Sequence, residues 1–187
     1  ILLAQSYEQA MALYEKFKPY VLGVISDMRY YRNKVLDGNA GRLLLSHIKR
    51  DRFDIPLLLT SSEPANALVA AGIPALFLDK NTLSLKQSIK AFLIEYLGFG
   101  HFVFRMPDGT EVDRASNLRE LEEKVARIPE ASLWYHARRN HFSNWLMARS
   151  EIGLASAFRA VQASEFSSTE AMRRYIVSNI HGLRRWR

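Results

Sequence analysis

The chain has 187 residues, with 26 Lys and Arg against 19 Asp and Glu, a formal charge of +7 at pH 7, and no cysteine. Hydrophobic residues make up 48% and charged residues 24%, which fits a chain able to bury a core and excludes a disordered or collagen-like one. The lack of cysteine excludes disulfide frameworks, thiolate zinc sites, iron–sulfur clusters and cysteine nucleophiles. No apolar run nears the roughly 20 residues that cross a bilayer.

The first residue is Ile1, and no basic segment leads into an apolar stretch with a cleavage site. The sequence therefore reads as a piece of a longer chain, with the cytoplasm as the default location and no membrane association. The basic excess is shared, with 12 Lys and Arg against 9 Asp and Glu over residues 1–100 and 14 against 10 over residues 101–187. The tail holds Arg173, Arg174, Arg184, Arg185 and Arg187 with no acid between them. Such a run would suit a polyanion, but a solvated helix is the plainer reading.

Residues 1–97 alternate short apolar runs with amphipathic segments. Residues 1–3 read as a clipped strand. Ser6 is placed to cap a helix that runs through Lys16, with Ala10, Leu13, Tyr14 and Phe17 on one face, and Pro19 stops it. Residues 21–26 are a continuous apolar run and read as a buried strand. Residues 28–39 read as a polar loop. Residues 40–50 form a helix with Leu43, Leu44, His47 and Ile48 inward. Strands are predicted again at 55–59 and 75–78, separated by a short helix over 63–71 that Gly72 closes. A helix over 83–97 follows. Strand–helix alternation of this kind predicts a parallel sheet covered by helices.

Gly98-Phe99-Gly100 marks a boundary between 1–97 and 98–187. Residues 101–105 alternate with Phe102 and Phe104 on one face, Pro107-Asp108-Gly109 is a turn, and residues 110–112 return as a partner strand. Asn117 and Glu120 form a capping-box variant ahead of Leu118, Leu121, Val125 and Ile128 at helical spacing. The remainder reads as helices over 131–149, 151–163 and 168–183. His136 and His141 are five apart, off the shared-face spacing of three or four, so they do not suggest a metal site. An anion site from His136, Arg139, His141 and Asn144 has no motif behind it.

Ligands of an open parallel sheet bind beyond the carboxyl ends of its strands. At those ends the sequence presents Asp27 after Val24-Ile25-Ser26, Thr60 after Leu57-Leu58-Leu59, and Lys80 after Phe77-Leu78-Asp79. A carboxylate, a hydroxyl and an ammonium on one edge suit phosphoryl chemistry: the carboxylate can attack phosphorus, and the ammonium and hydroxyl can hold phosphate oxygens.

Residues 1–97 resemble the response-regulator receiver family. The resemblance is carried by Val-Ile-Ser-Asp-Met-Arg at 24–29, Leu-Leu-Thr-Ser-Ser-Glu at 58–63 and Phe-Leu-Asp-Lys at 77–80. It implies a flavodoxin-like, doubly wound parallel sheet that lacks its first strand. It makes Asp27 the phosphoacceptor, Thr60 the switch hydroxyl, Phe77 the switch aromatic and Lys80 the phosphate-binding lysine. It also implies Mg²⁺ held by Asp27 and the backbone carbonyl of Arg29, provided that the acidic pair of the family's first strand lies upstream. Asn81 stands where the family has proline, and the loop over 30–39 is longer and more basic than in the family. The partners implied are a histidine kinase or other phosphodonor and a downstream domain or protein, with a homodimer left open.

Residues 99–160, from Phe102-Val-Phe-Arg-Met-Pro-Asp-Gly through Asn140-His-Phe-Ser-Asn-Trp, resemble a module in the N-terminal regions of bacterial phosphoenolpyruvate synthase and pyruvate phosphate dikinase-like proteins. This resemblance implies a mostly helical α+β segment with a β-hairpin, serving regulation or interaction. No phosphate-binding glycine loop or nucleotide fingerprint is present, so the chain itself is not expected to be an enzyme, although its parent would be. Two further readings follow from the residues: a scaffold that keeps the fold without phosphorylation, and, less favoured, a DNA-binding regulator built on the arginine tail.

Overall fold

The computed structural model describes residues 1–186. Arg187, the last of the tail arginines, lies outside the described residues. The chain divides into two compact units, Ile1–Phe92 and Leu93–Arg187.

The first unit is α/β. Its sheet has three parallel strands in the order β1 (Val24–Asp27), β4 (Leu57–Ser61), β5 (Leu76–Asp79). Val24 pairs with Leu57 and Asp27 with Thr60, while Leu58 pairs with Leu76 and Ser61 with Asp79. Every residue of β4 is buried, as expected of a strand with neighbours on both sides and helices over its faces. Leu57 and Leu59 join Leu44, Leu45 and Ile48 of α2 (Ala40–Asp51), Tyr14 of α1 (Tyr7–Phe17) and Ala70 of α3 (Asn66–Gly72) in one core. The last helix to begin in this unit is α4 (Leu85–Glu95).

Local chemistry sets the ends of these elements. The Ser6 hydroxyl accepts the Gln9 N–H at the start of α1, as its position in the sequence predicts. The end of α2 is tied down by charge: Asp51 accepts the Tyr14 hydroxyl at 2.5 Å and Lys18 at 2.7 Å, and Arg52 forks onto Asp54 at 2.9 Å. Burial and the adjacent Asp51 carboxylate push the Tyr14 hydroxyl far above its ordinary pKa, so it stays a donor.

Two expectations for this unit need correction. Residues 1–3 form no strand; they carry no ladder and their side chains stand exposed. The polar loop over 28–39 contains a small hairpin of β2 (Tyr30–Arg32) and β3 (Val35–Asp37). Its two-residue turn, Asn33 and Lys34, has φ of 52° and 64°, the paired left-handed geometry that suits a tight hairpin. Arg32 closes the hairpin onto Asp37 at 2.6 Å.

The second unit is mostly helical with one hairpin, the class read from the sequence. β6 (Phe102–Arg105) pairs antiparallel with β7 (Glu111–Ala115) across a turn in which Gly109 takes φ 92°. Phe102 and Phe104 point inward and are buried. α5 (Leu118–Val125) starts at Asn117, whose side chain accepts the Glu120 N–H, while Glu120 reaches back to the Ser116 N–H. α5 packs on β7 and on α9 (Thr169–Trp186). Arg149 lies 3.4 Å over the Trp145 ring and donates to the carbonyls of Gly98 and Gly100. Burial pulls its pKa down to about 10, so it remains a cation at neutral pH.

The expected helix over 131–149 is two helices, α6 (Glu130–Ala137) and α7 (His141–Ala148), followed by α8 (Ile152–Ala160). The chain breaks at Asn140, which sits at φ 56° and ψ 23°. Asparagine tolerates this left-handed conformation, and a β-branched residue does not. Asn140→Val is expected to cost roughly 1–2 kcal/mol of stability in thermal or urea unfolding, with Asn140→Gly near neutral; equal midpoints for both variants would contradict this origin of the break.

Candidate functional site

The three strand-end residues singled out in the sequence meet at the carboxyl edge of the parallel sheet. β1 and β4 run side by side, and their register sets Asp27 opposite Thr60. β5 lies on the other side of β4, and the chain leaves it at Lys80, whose N–H donates to the Ser61 carbonyl at 2.9 Å. The Lys80 Nζ reaches back across β4 to Asp27 Oδ2 at 2.6 Å. The other carboxylate oxygen, Oδ1, accepts the Met28 N–H at 2.9 Å.

Both members of the Asp27–Lys80 pair are about two-fifths exposed. Ion pairs this wet contribute under about 1 kcal/mol to stability.

Thr60 is buried, and its hydroxyl donates to the Ser26 carbonyl at 3.4 Å rather than to the carboxylate. Phe77 is half-buried and packs against the core of the unit. Arg29 is exposed in the bend that follows β1. Asn81 ties two loops together: its side chain donates to the Ser62 carbonyl at 2.9 Å and its N–H to Asp79 Oδ1 at 2.8 Å. Ser61 Oγ accepts from Glu63 N–H and from Asn66 Nδ2, which orders the loop after β4.

The first turn of α2 presses on the same edge. Gly41 donates to the Met28 carbonyl at 3.0 Å, and the Tyr30 hydroxyl donates to the Ala40 carbonyl at 3.3 Å. A Cβ on Gly41 would lie 2.0 Å from the Asp27 carbonyl oxygen. Sequence reasoning missed this contact; a glycine in the first turn of an otherwise regular helix is its only trace.

Asp27 is the carboxylate that these residues bring to the edge, and an ammonium already occupies it. Asp79 is engaged with the Asn81 amide. Magnesium takes a near-octahedral set of oxygen ligands, so these residues do not by themselves make a magnesium site. Among the described residues, no group of three or more His, Asp or Glu is placed to hold a metal ion.

In the second unit, His136 and His141 do meet. Their Nδ1 atoms are 2.9 Å apart. The other two residues considered with them are engaged elsewhere: Arg139 lies over the Tyr135 ring at 4.2 Å, and Asn144 Oδ1 accepts from Arg159. The tail arginines are partly spent on structure, since Arg173 donates to the carbonyls of Val125 and Ile128, and Arg184 pairs with Glu122.

No protein family, curated protein or solved structure matches the chain. The class of protein defined by these observations is an α/β unit with a three-stranded parallel sheet and flanking helices, followed by a helical unit with a β-hairpin. Among the described residues, no helix is long and apolar enough to cross a membrane.

Proposed function

We propose that residues 1–97 are a receiver-like signalling module that accepts a phosphoryl group on Asp27. The observation that carries this reading is the pairing of Asp27 with Lys80 at 2.6 Å beyond the carboxyl ends of parallel strands, with Thr60 in register beside it. In the step, an Asp27 carboxylate oxygen forms a bond to phosphorus. The donor's P–O bond breaks, and its electron pair leaves with the donor. Lys80 then has a phosphoryl oxygen to hold in place of the bare carboxylate. Thr60 and Phe77 are the groups that would couple this change to the packing of β4 and β5.

The test is intact mass of the full chain after incubation with acetyl phosphate, with and without magnesium, beside Asp27→Asn. One added phosphoryl group, lost in the variant, is expected. No addition, or addition retained in Asp27→Asn, overturns the assignment. A second reading is favoured by the ammonium that already occupies Asp27: a scaffold that keeps the fold and the ion pair without phosphorylation. It predicts no addition from a chain that is folded by circular dichroism.

The output remains a proposal carried by resemblance. Residues 99–160 would make the second unit the regulatory front of a phosphoenolpyruvate synthase-like enzyme. The engagement of Arg173 and Arg184 within the fold leaves less free charge for the DNA-binding alternative.

A further inference from the structure

The Asp27–Lys80 contact depends on how the chain leaves β5. Lys80 has to cross β4 to reach the end of β1. That is two strand spacings, or roughly 10 Å between backbones. The lysine stem is a flexible four-carbon chain with many other directions open to it. The pull of an exposed carboxylate is modest. The backbone that carries Lys80 must therefore be held if the ammonium is to stay on Asp27.

The hold is built into the turn after β5. The Thr82 N–H donates to the Asp79 carbonyl at 3.3 Å, which makes Lys80 and Asn81 the two central residues of a turn. The Asn81 N–H donates to Asp79 Oδ1 at 2.8 Å, and the Thr82 and Ser84 hydroxyls lie 3.1 Å apart. These bonds are local and would travel with the turn if it swung away from the sheet. Two others reach outward. The Lys80 N–H donates to the Ser61 carbonyl at 2.9 Å and pins the near end of the turn to β4. The Asn81 carboxamide pins the far end, with Nδ2 donating to the Ser62 carbonyl at 2.9 Å.

The anchor is itself ordered. Ser61 Oγ accepts from the Glu63 N–H at 3.1 Å and from Asn66 Nδ2 at 2.9 Å, which joins the loop after β4 to the first residue of α3. Asn81 thus uses both its backbone N–H and its carboxamide to fix the turn. A proline, which has no N–H and no carboxamide, could supply neither bond.

We infer that Asn81 is the positioning residue of the Asp27–Lys80 site: its carboxamide ties the turn that carries Lys80 to the loop after β4, and so keeps the ammonium on the carboxylate. Its own bonds go to Asp79 and Ser62, so it acts through Lys80. The same tie makes the loops after β4 and β5 one body, and a change in where Lys80 points is passed to the start of α3. The consequence for phosphoryl transfer rests on the function proposed above; the consequence for the ion pair does not.

The test is NMR of the lysine ammonium groups in the full chain, beside Asn81→Ala and Thr82→Ala. Asn81 is exposed, so its truncation leaves the core intact. In the unaltered chain the Lys80 ammonium should exchange its protons with water more slowly than that of an exposed lysine such as Lys34, and should couple across the hydrogen bond to the Asp27 carboxylate. One hydrogen bond is worth about two- to tenfold in an equilibrium. In Asn81→Ala the exchange should quicken by that factor and the coupling should fade. Thr82→Ala removes a local contact and keeps the Asn81 tie, so its Lys80 signal should match that of the unaltered chain. A Lys80 signal like that of Lys34 in the unaltered chain, an unchanged signal in Asn81→Ala, or an equal loss in Thr82→Ala would overturn the inference. Acetyl phosphate labelling is the second readout, slowed by the same factor in Asn81→Ala alone; an unslowed rate in a chain that does label would also overturn it. An unaltered chain that takes no phosphoryl group overturns the proposed function instead, and the ammonium signal then decides the role of Asn81.

Discussion

Gly41→Ala is expected to destabilise the first unit by about 3 kcal/mol or more, at the upper end of what overpacking costs. Helix propensity argues the other way: alanine in place of glycine inside a helix gains about 1 kcal/mol. The contact decides the sign. The new Cβ would lie 2.0 Å from the Asp27 carbonyl oxygen and 2.9 Å from Met28 Cα, and both are backbone atoms. A flexible side chain could swing aside; the end of a strand pinned by the Asp27–Thr60 register cannot. Relief requires α2 to retreat from β1, which also stretches the hydrogen bond from Gly41 N–H to the Met28 carbonyl. Because Asp27 stays in its strand register, the variant should keep the contact between Asp27 and Lys80. Urea unfolding gives the stability, and the mass assay gives the effect on the site. A wild-type midpoint for Gly41→Ala would mean that α2 sits less tightly on the strand than these distances require.

The parallel strands were legible because each is a short, nearly unbroken apolar run with turn-forming or polar residues after it. Val24–Asp27, Leu57–Ser61 and Leu76–Asp79 overlap the predicted runs at 21–26, 55–59 and 75–78, each ending one or two residues later. Their order along the chain is enough to imply that Asp27, Thr60 and Lys80 share one edge. Helix starts were readable where a side chain carries the cap, as at Ser6 and Asn117. Residues 1–3 misled because an apolar triplet is a strand only if a neighbour pairs with it, and pairing is not a local property. The β2–β3 hairpin was hidden because its strands are three residues each, too short for alternation to register. The spacing of five separates His136 and His141 only on one continuous helix. Five residues of α-helix place two side chains about 140° apart. The left-handed Asn140 voids that geometry and folds the two rings together. A lone Asn between helical segments was the only cue, and it is a weak one.

The buried His136 has a consequence for the pH dependence of stability. Burial first, then the nearby His141, Arg105 and Arg139, push the His136 pKa down to about 3 from an ordinary value of 6.5. Between these two values the unfolded chain binds a proton at this position and the folded chain does not. Stability must therefore rise with pH across the window and fall as pH drops below 6.5, by up to about 1.4 kcal/mol per pH unit. The carboxylates of the same unit act lower down. Asp113, held by Lys124, and Glu120, held by the Ser116 N–H, have pKa values below their ordinary 3.8 and 4.5, so their stabilisation is full above those values and fades beneath them. From pH 6.5 to 4.5 the slope is thus set by histidine and not by these acids. Urea unfolding of the second unit at half-unit steps across that range should show it. His136→Gln should flatten the slope while costing about 1–3 kcal/mol at pH 7, because a shorter, misplaced acceptor leaves the Arg105 N–H poorly paired in a buried site. If the variant kept the wild-type slope, the proton would be binding elsewhere in the unfolded chain's favour, and the buried neutral imidazole would not be the source of the acid sensitivity.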